Sequence, residues 1–539
     1  FQQQLKKTLQ KFPDNAQLYL MLADYYQRKN EIGEAEKNLK KAIEIQSDSI
    51  PFRQMLANFY RKQKQFDKAE AELKRSGEEF PENIQLKVAL AELQFDVKKF
   101  DDARTLMDSI LASNPSNGGA NLIKARFLIK EGKIKEAMEI ISPLTNDYPK
   151  WADPFYYSAL THLRTGQTDL AKQSISQALQ NDPGNDRYHA LAAQISLVRG
   201  DSNDAGKEAT IALRLNPKNF TAVKILAKSF VQSKEYDKAI KLIEGVQNQV
   251  GENVDLISSL SMAYLGKNER EKAKDSLARL LEIAPDNSRA LAYFAALSSD
   301  NDTAKSIAIV EKQIEKSKTG GHYLLLGELY AKNKQVEKAL DALLKAQQLN
   351  PDNPQAYMLR ANLLRQEEQT DRAIDEYNAL LEKNPDSVVG NMGLATVYDS
   401  RGEHAKAKEL YMKVLKLRPD FATAANNLAW LLASEEGGDL GEALRLAMQA
   451  KQALPSQPHI ADTLGWVHYK RKSYSLATSQ FQQALEKRPD DPTILYHLAL
   501  AQYGNGKKDK AVASLEKALG SDAVFGDRAE AEGVLAGWK

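Results

Sequence analysis

Cysteine is absent from the 539-residue chain. This absence excludes disulfide bonds, cysteine nucleophiles and thiolate metal sites. No apolar run approaches the roughly 20 residues that a membrane-spanning helix needs. Charge of one sign is also lacking, since 74 Lys and Arg residues face 72 Asp and Glu residues. The charge balance therefore favours neither nucleic acid nor an anionic membrane as a partner.

Sequence motifs of common catalytic sites are missing as well. The chain contains no His-Glu-x-x-His, no phosphate-binding glycine loop and no Gly-x-Ser-x-Gly elbow. None of its seven histidines forms a metal-type pair with a further ligand nearby. We therefore predict no catalytic residue, no metal site and no cofactor, and we expect a protein that is not an enzyme.

What the sequence does contain is a repeat. An alanine recurs every 34 residues from Ala35 to Ala273 and continues, with small changes of step, to Ala511. A second small residue, such as Ala23, precedes most of these alanines by twelve positions. Small side chains at both positions allow two antiparallel helices to approach closely. Prolines such as Pro81 fall between periods, which predicts one helical hairpin per period.

The repeat weakens in the middle of the chain. The alanine series reaches Ala304 after a step of only 31 residues, which predicts a shortened turn before it. Gly251 and Thr319 also stand where the regular periods have proline. We predict an irregular repeat over residues 286–320, with two alternatives left open: a hinge, or drift in a structural spacer.

The repeat pattern resembles the tetratricopeptide-repeat (TPR) family over nearly the whole chain. The family's spaced Leu-Gly, Tyr, Ala and Pro are matched by Leu326, Gly327, Tyr330, Ala339 and Pro351. The resemblance implies an all-α fold, a right-handed α-solenoid superhelix of about fifteen helix-turn-helix repeats. A capping helix is expected after the last repeat, because that repeat would otherwise expose its apolar face.

The same alignment of periods predicts the domain limits. These are the second helix of a truncated upstream repeat over 1–15, repeats 1–8 over 16–285, the irregular repeat 9 over 286–320, repeats 10–15 over 321–521, and the capping helix over 522–539.

The resemblance further implies that the first helix of each repeat lines a concave groove with its second, fifth, ninth and twelfth residues. We predict a partner-binding site there for protein or peptide ligands. The candidate residues are Asn58, Arg61 and Arg126 in the first part of the chain, and Asn426, Trp430, Asp462, Trp466, Tyr469 and Tyr496 near its end. Aromatic side chains with polar groups are typical of recognition sites. Packing inside the repeats is the alternative for these aromatics. A basic groove with regular aromatics is not seen, so nucleic acid is not an expected partner.

The last repeats carry a more specific resemblance. NNLAWLLA, at 426–433, and the stretch that begins DTLGW at Asp462 are similar to the TPR lipoproteins of the bacterial PEP-CTERM exopolysaccharide and protein-sorting system. This resemblance implies a periplasmic scaffold that organises polysaccharide-export or protein-sorting components. A lipid anchor upstream of Phe1 would then be its only link to the membrane.

Two other functions remain open at this stage. One is a cytosolic peptide-binding adaptor or co-chaperone. The other is the substrate-recruiting arm of a glycosyltransferase, which predicts a catalytic domain elsewhere in the same protein.

Overall fold

The chain folds into a succession of α-helices. The computed structural model describes residues 2–521, 523 and 525–538, and these described residues form 32 helices and no strand. Phe1, Asp522, Val524 and Lys539 fall within the predicted domain limits but lie outside the described residues. The all-α fold predicted from the repeat is confirmed.

The helices of the first part of the chain are α1 (Gln2–Lys11), α2 (Ala16–Arg28), α3 (Ile32–Ile45), α4 (Ile50–Lys62), α5 (Phe66–Glu79), α6 (Ile84–Asp96), α7 (Phe100–Ser113), α8 (Gly118–Lys130), α9 (Ile134–Asp147), α10 (Ala152–Arg164), α11 (Thr168–Asn181), α12 (Asp186–Val198), α13 (Ser202–Leu215), α14 (Phe220–Gln232), α15 (Tyr236–Val250), α16 (Val254–Gly266) and α17 (Arg270–Ile283).

The remaining helices are α18 (Ser288–Ser298), α19 (Thr303–Lys316), α20 (Gly320–Lys332), α21 (Val336–Leu349), α22 (Pro354–Gln366), α23 (Thr370–Lys383), α24 (Val388–Ser400), α25 (His404–Leu417), α26 (Ala422–Ser434), α27 (Leu440–Ala453), α28 (Pro458–Lys470), α29 (Tyr474–Leu485), α30 (Pro492–Gly504), α31 (Lys508–Leu519) and α32 (Arg528–Trp538).

Two kinds of helix alternate along the chain. The even-numbered helices from α2 onwards, here called A helices, each pack against the odd-numbered B helix that follows and against the next A helix. The chain divides into two compact units, residues 1–273 and 274–539, and the division falls within α17. The predicted limits of the repeats and of the irregular segment stay predictions. The division lies ahead of the irregular repeat predicted over 286–320.

Local sequence explains where the A helices begin. Asn83, Asn117, Asn185 and Asn219 each precede an A helix, and their side-chain oxygens accept hydrogen bonds from backbone N–H groups of the first turn. These N–H groups have no partner inside the helix, so an Asn cap satisfies donors that would otherwise be left over.

The turn from each A helix to its B helix has a fixed backbone geometry. A residue with positive φ recurs there every 34 residues from Asn30 to Asn268. Glycine adopts this left-handed conformation freely, and Gly132 (φ 78°) uses it. Lys64 adopts it too, with φ 57°, although a side chain makes that conformation unfavourable.

The small residues predicted from the repeat do lie where paired helices meet. Ala57 is the eighth residue of α4, Ala69 is the fourth residue of α5, and both are buried. Gly327 of α20 shows how tight this contact is, because a Cβ built there would lie 2.7 Å from Cγ of Leu343 in α21. Ala295 in α18 and Ala429 in α26 occupy the same eighth position, which the sequence analysis left unassigned in those two repeats.

One member of the predicted alanine series is wrong. Ala304 is exposed, and the fourth position of α19 is taken by Ser306, which is 5% exposed. The shortening that misaligned the series lies in α18, which has 11 residues where neighbouring A helices have 13. The turn that follows contains two consecutive left-handed residues, Asp300 and Asn301. The short step therefore reflects a shortened helix.

A search of the described helices finds none with both the length and the apolar character that crossing a membrane requires.

The strained turns predict a stabilising substitution. Lys64→Gly should raise the free energy of unfolding by about 0.5–1 kcal/mol, because glycine removes the unfavourable left-handed conformation. Gly132→Ala at the equivalent turn should lower it by a similar amount. Urea unfolding followed by circular dichroism measures both variants, and an unchanged or lowered midpoint for Lys64→Gly would contradict this explanation.

The helix contact predicts opposite effects at two helical glycines. Gly327→Ala should destabilise the protein by about 1–3 kcal/mol, because the new methyl group has to displace buried Leu343. Gly245→Ala in α15 is the matched control: no atom lies within 4 Å of a Cβ built there. That variant should be stabilised by about 0.5–1 kcal/mol through helix propensity alone. Equal urea midpoints for the two variants would show that the contact is not tight.

Candidate functional site: the A-helix face

The predicted site residues all lie on A helices, at equivalent positions. Asn58, Arg126, Trp430 and Trp466 are each the ninth residue of their helix. Arg61 and Tyr469 are twelfth residues, whereas Asn426, Asp462 and Tyr496 are fifth residues. We call the surface formed by the fifth, ninth, twelfth and thirteenth residues of the A helices the A-helix face. It is described separately in each compact unit.

In the first unit this face contains a cleft of about 400 Å³ between α4, α6 and α8. We call it the N-terminal cleft. Its polar lining consists of Gln54, Asn58, Arg61, Gln85, Glu92 and Asn117, and its apolar lining of Ala57, Leu73, Val88, Ala89 and the backbone of Gly119. The structure therefore brings the predicted residues Asn58 and Arg61 together in one cavity.

Arg126, the third predicted residue of this unit, is joined to Arg61 through an aspartate. One carboxylate oxygen of Asp96 accepts a hydrogen bond from Nη2 of Arg61 at 2.7 Å, and the other accepts one from Nη2 of Arg126. The Arg126 guanidinium also lies 4.0 Å from the centre of the Phe95 ring. The sequence analysis missed Asp96 because it stopped at the twelfth position, and Asp96 is the thirteenth residue of α6.

Glu92 is electrostatically unusual within this cleft. Burial, which disfavours its charged form, raises the pKa of the Glu92 carboxyl from 4.5 to about 6, despite the opposing positive charges of Arg61 and Arg126. Asp153 and Asp96 add smaller contributions in the same upward direction. A carboxylate kept poorly solvated beside two arginines can accept a proton or a cationic group from a ligand.

In the second unit the A-helix face contains a stacked group of rings, which we call the aromatic cluster: Trp430, Trp466, Tyr469 and His497. Trp430 and Trp466 stack with centroids 5.6 Å apart, and Trp466 and Tyr469 stack at 5.2 Å. His497 lies 4.6 Å from Trp466. Trp430, Trp466 and Tyr469 are each half-buried, so part of every ring remains accessible to a ligand.

Polar groups hold the aromatic cluster in place. Asp462 pairs with Nδ1 of buried His497 at 2.8 Å. Nε1 of Trp466 donates a hydrogen bond to Oγ of Ser434 at 3.2 Å, and the Lys470 ammonium lies 4.8 Å from the Trp466 ring centre. The predicted residues Trp430, Asp462, Trp466 and Tyr469 are thus in one place. Sequence analysis treated His497 as structural and did not connect it to this group.

Two predicted residues do not belong to the accessible surface. Asn426 is 6% exposed and Tyr496 is 2% exposed. Tyr496 packs with Phe525 and Ala531 in a core that also involves side chains of α32. We therefore leave both residues out of the candidate site, since a partner cannot reach them without rearrangement. For these two positions, packing, the alternative left open above, describes the observed environment.

The last described helix packs on this end of the second unit. The ring of Trp538 in α32 stacks on that of Tyr503 in α30, with centroids 4.1 Å apart and planes 3° apart. Val534 and Leu535 pack against the adjacent core. Tyr503, a twelfth-position residue, is therefore covered by α32.

Metal chemistry finds no ready-made centre in the part of the chain that the structure describes. Within residues 2–521, 523 and 525–538, no three His, Asp or Glu side chains are grouped so that they could hold an ion.

Fold and site together define a helical-repeat protein of the solenoid class, whose distinctive side chains lie on one face of its A helices. Models described as tetratricopeptide repeat match residues 28–93, 60–117, 94–163, 255–287, 322–388, 364–431 and 463–524. These matches cover more than half of the chain, so the protein belongs to the tetratricopeptide-repeat family.

Similarity to individual proteins is weaker. The chain is 23% identical over 188 residues to the TPR repeat-containing protein YpiA of Bacillus subtilis, a match that covers 35% of this chain and 44% of that protein. It is 30% identical over 137 residues to a BBSome complex member, the BBS4 homolog of Drosophila melanogaster, which covers 24% of this chain and 28% of that protein. The chain thus spans less than half the length of these curated relatives.

Among solved structures, the crystal structure of the APC/C hetero-tetramer Cut9-Hcn1 contains a chain that is 14% identical, with a TM-score of 0.38. The match covers 90% of this chain and 96% of that one.

The raised pKa of Glu92 predicts a pH-dependent stability. Unfolded, this carboxyl titrates near 4.5, and folded near 6, so the folded chain holds more protons in that window and its stability falls as pH rises through it. Glu92→Gln removes this effect. At pH 7 the variant should be more stable than the parent by at most about 2 kcal/mol, with the difference vanishing below pH 4.5.

Glu131→Gln is the control for the sign of this effect. Lys133 and Arg104 lower the pKa of Glu131, so its removal should bring no gain at neutral pH. Urea midpoints between pH 4.5 and 7.5 measure both variants. A Glu92→Gln advantage that did not change with pH would contradict the assigned pKa.

Proposed function

We propose that this protein is a non-catalytic scaffold that binds protein partners along the A-helix face and organises a machine of the bacterial envelope. The general part of this proposal follows from the family, because TPR repeats form interaction scaffolds that are generally without catalytic activity. The envelope location, the lipid anchor and the association with exopolysaccharide export or protein sorting are proposals.

The aromatic cluster is the observation that carries the binding proposal. Trp and Tyr are the residue types that dominate binding energy at protein interfaces, and they do so when a polar group accompanies a large apolar ring. Trp430 and Trp466 present accessible edges, and Lys470 adds a positive charge beside Trp466. Hydrogen bonds and ion pairs already fix the cluster, so little side-chain entropy is lost when a partner binds.

The repeated face supports a multivalent mechanism. A partner held at the aromatic cluster would meet further contacts on other repeats at a raised effective concentration, so several weak contacts could combine into a stable complex. Such binding suits a scaffold that keeps several components together. The envelope assignment itself is supported by the similarity of 426–433 and of the stretch after Asp462 to periplasmic TPR lipoproteins, and by a chain without cysteine.

The binding proposal predicts a specific loss of partners. In the native host, the tagged full-length protein is cross-linked with formaldehyde, and co-purified proteins are quantified by mass spectrometry. Trp430→Ala should reduce recovery of its main partner about tenfold or more, as expected for an interface hot spot. Lys470→Glu should reduce it less, while Lys487→Glu, a charge reversal just after α29, should leave recovery unchanged.

Circular dichroism of each variant separates lost binding from lost folding. Equal recovery with Trp430→Ala and the parent protein would contradict the role of the aromatic cluster. Fractionation of the same cells tests the envelope assignment: recovery in the membrane and periplasmic fractions supports it. Recovery in the cytosol alone would reject it and favour the peptide-binding adaptor. A catalytic domain in the full-length gene would instead favour the glycosyltransferase arm.

A further inference from the structure

The N-terminal cleft is far from neutral in its binding preference, because its arginines are already occupied and its glutamate is not. Asp96 uses both carboxylate oxygens to bind Arg61 and Arg126. In the described part of the chain, Glu92 makes no hydrogen bond and no ion pair of its own, and the two arginines reach it only as nearby positive charges. The group left to attract a ligand is therefore negative.

A second observation points to a ligand at the same place. Nε of Arg126 is buried and has no hydrogen-bond acceptor within the described residues. Only 12% of the Arg126 side chain is exposed, because its guanidinium lies against Phe95. A buried N–H without an acceptor costs free energy, which a ligand oxygen could recover. Glu92 needs a donor and Arg126 needs an acceptor.

A peptide residue with a cationic side chain provides both. Its ammonium or guanidinium group would meet Glu92, and a carbonyl oxygen of its backbone would meet Nε of Arg126. Val88 and Ala89 in the cleft lining offer an apolar surface for the aliphatic part of such a side chain. The amide groups of Gln54 and Gln85 can donate to and accept from the peptide backbone.

We propose that the N-terminal cleft binds an extended peptide segment through a lysine or arginine side chain seated at Glu92. This inference rests on the proposed function and adds to it the class of ligand for one part of the A-helix face.

The charge of Glu92 should make this recognition sensitive to pH. The charged groups that act on Glu92 from the surrounding helices are Arg61 on α4, Asp96 on α6, Arg126 on α8 and Asp153 on α10. Glu92 is the group among them whose pKa lies near 6. Protonation below that pH removes its charge, so the preference for a cationic residue should weaken as the pH falls from 7.5 to 5.

A peptide-pool experiment tests the proposal. The immobilised full chain is incubated with pools of nonapeptides that have acetylated and amidated ends, random uncharged flanking residues, and a central Lys, norleucine or Glu. Norleucine keeps the aliphatic stem of lysine and lacks the charge. At pH 7.5 the Lys pool should be retained about tenfold better than the norleucine pool, and the Glu pool least, as expected for a charge-assisted hydrogen bond in a buried site.

The matched variants decide the assignment. Glu92→Gln should retain the Lys and norleucine pools equally, because it removes the charge and keeps the shape. Glu328→Gln alters the ninth residue of α20, the position equivalent to Glu92, and should keep the tenfold preference. A Lys preference that survives in Glu92→Gln, or equal retention of both pools by the parent chain, would overturn the proposal while leaving the scaffold function intact. Retention of no pool by the parent chain would contradict both.

Discussion

The close contact between the A and B helix of each repeat is the constraint on which the rest of this structure depends. Ala57 against the B helix containing Ala69 is one example, and Gly327 against Leu343 is the tightest case described above. A larger side chain at either position would separate the pair. Because the contact recurs with each period, every A helix presents the same positions at its surface, and a binding face arises from repetition of one local packing rule.

The binding character of that face comes from residues that packing leaves free to vary. Ninth positions carry Asn58, Glu92 and Arg126 in one unit, and Trp430 and Trp466 in the other. The first set forms a charged cleft, and the second forms a stack of rings. One protein can therefore offer chemically different surfaces to different partners, or to different segments of a single partner, without any change in the underlying repeat.

The sequence was sufficient to predict the fold and much of the candidate surface, because both depend on periodicity. It placed Asn58 and Arg61 in one groove and Trp430 near Trp466, as the structure does. It failed where a contact depends on geometry between repeats. The bridge through Asp96 and the approach of His497 to Trp466 join residues about one period apart, and no local pattern marks them. Burial of Asn426 and Tyr496 is likewise decided by neighbouring helices, and the misassigned Ala304 resulted from a shortened helix that spacing alone could not locate.

The most direct test of the central claim asks which helices touch a partner in the native cell. A photoreactive amino acid is placed at ninth positions of A helices, replacing Asn58 or Trp430, and at exposed ninth positions of B helices, replacing Met412 or Met448. Irradiation of intact cells, followed by mass spectrometry, then identifies the cross-linked proteins. The account predicts cross-links to partner proteins from the A-helix positions and few from the B-helix positions. Cross-links from Met412 or Met448 with none from the A helices would contradict it.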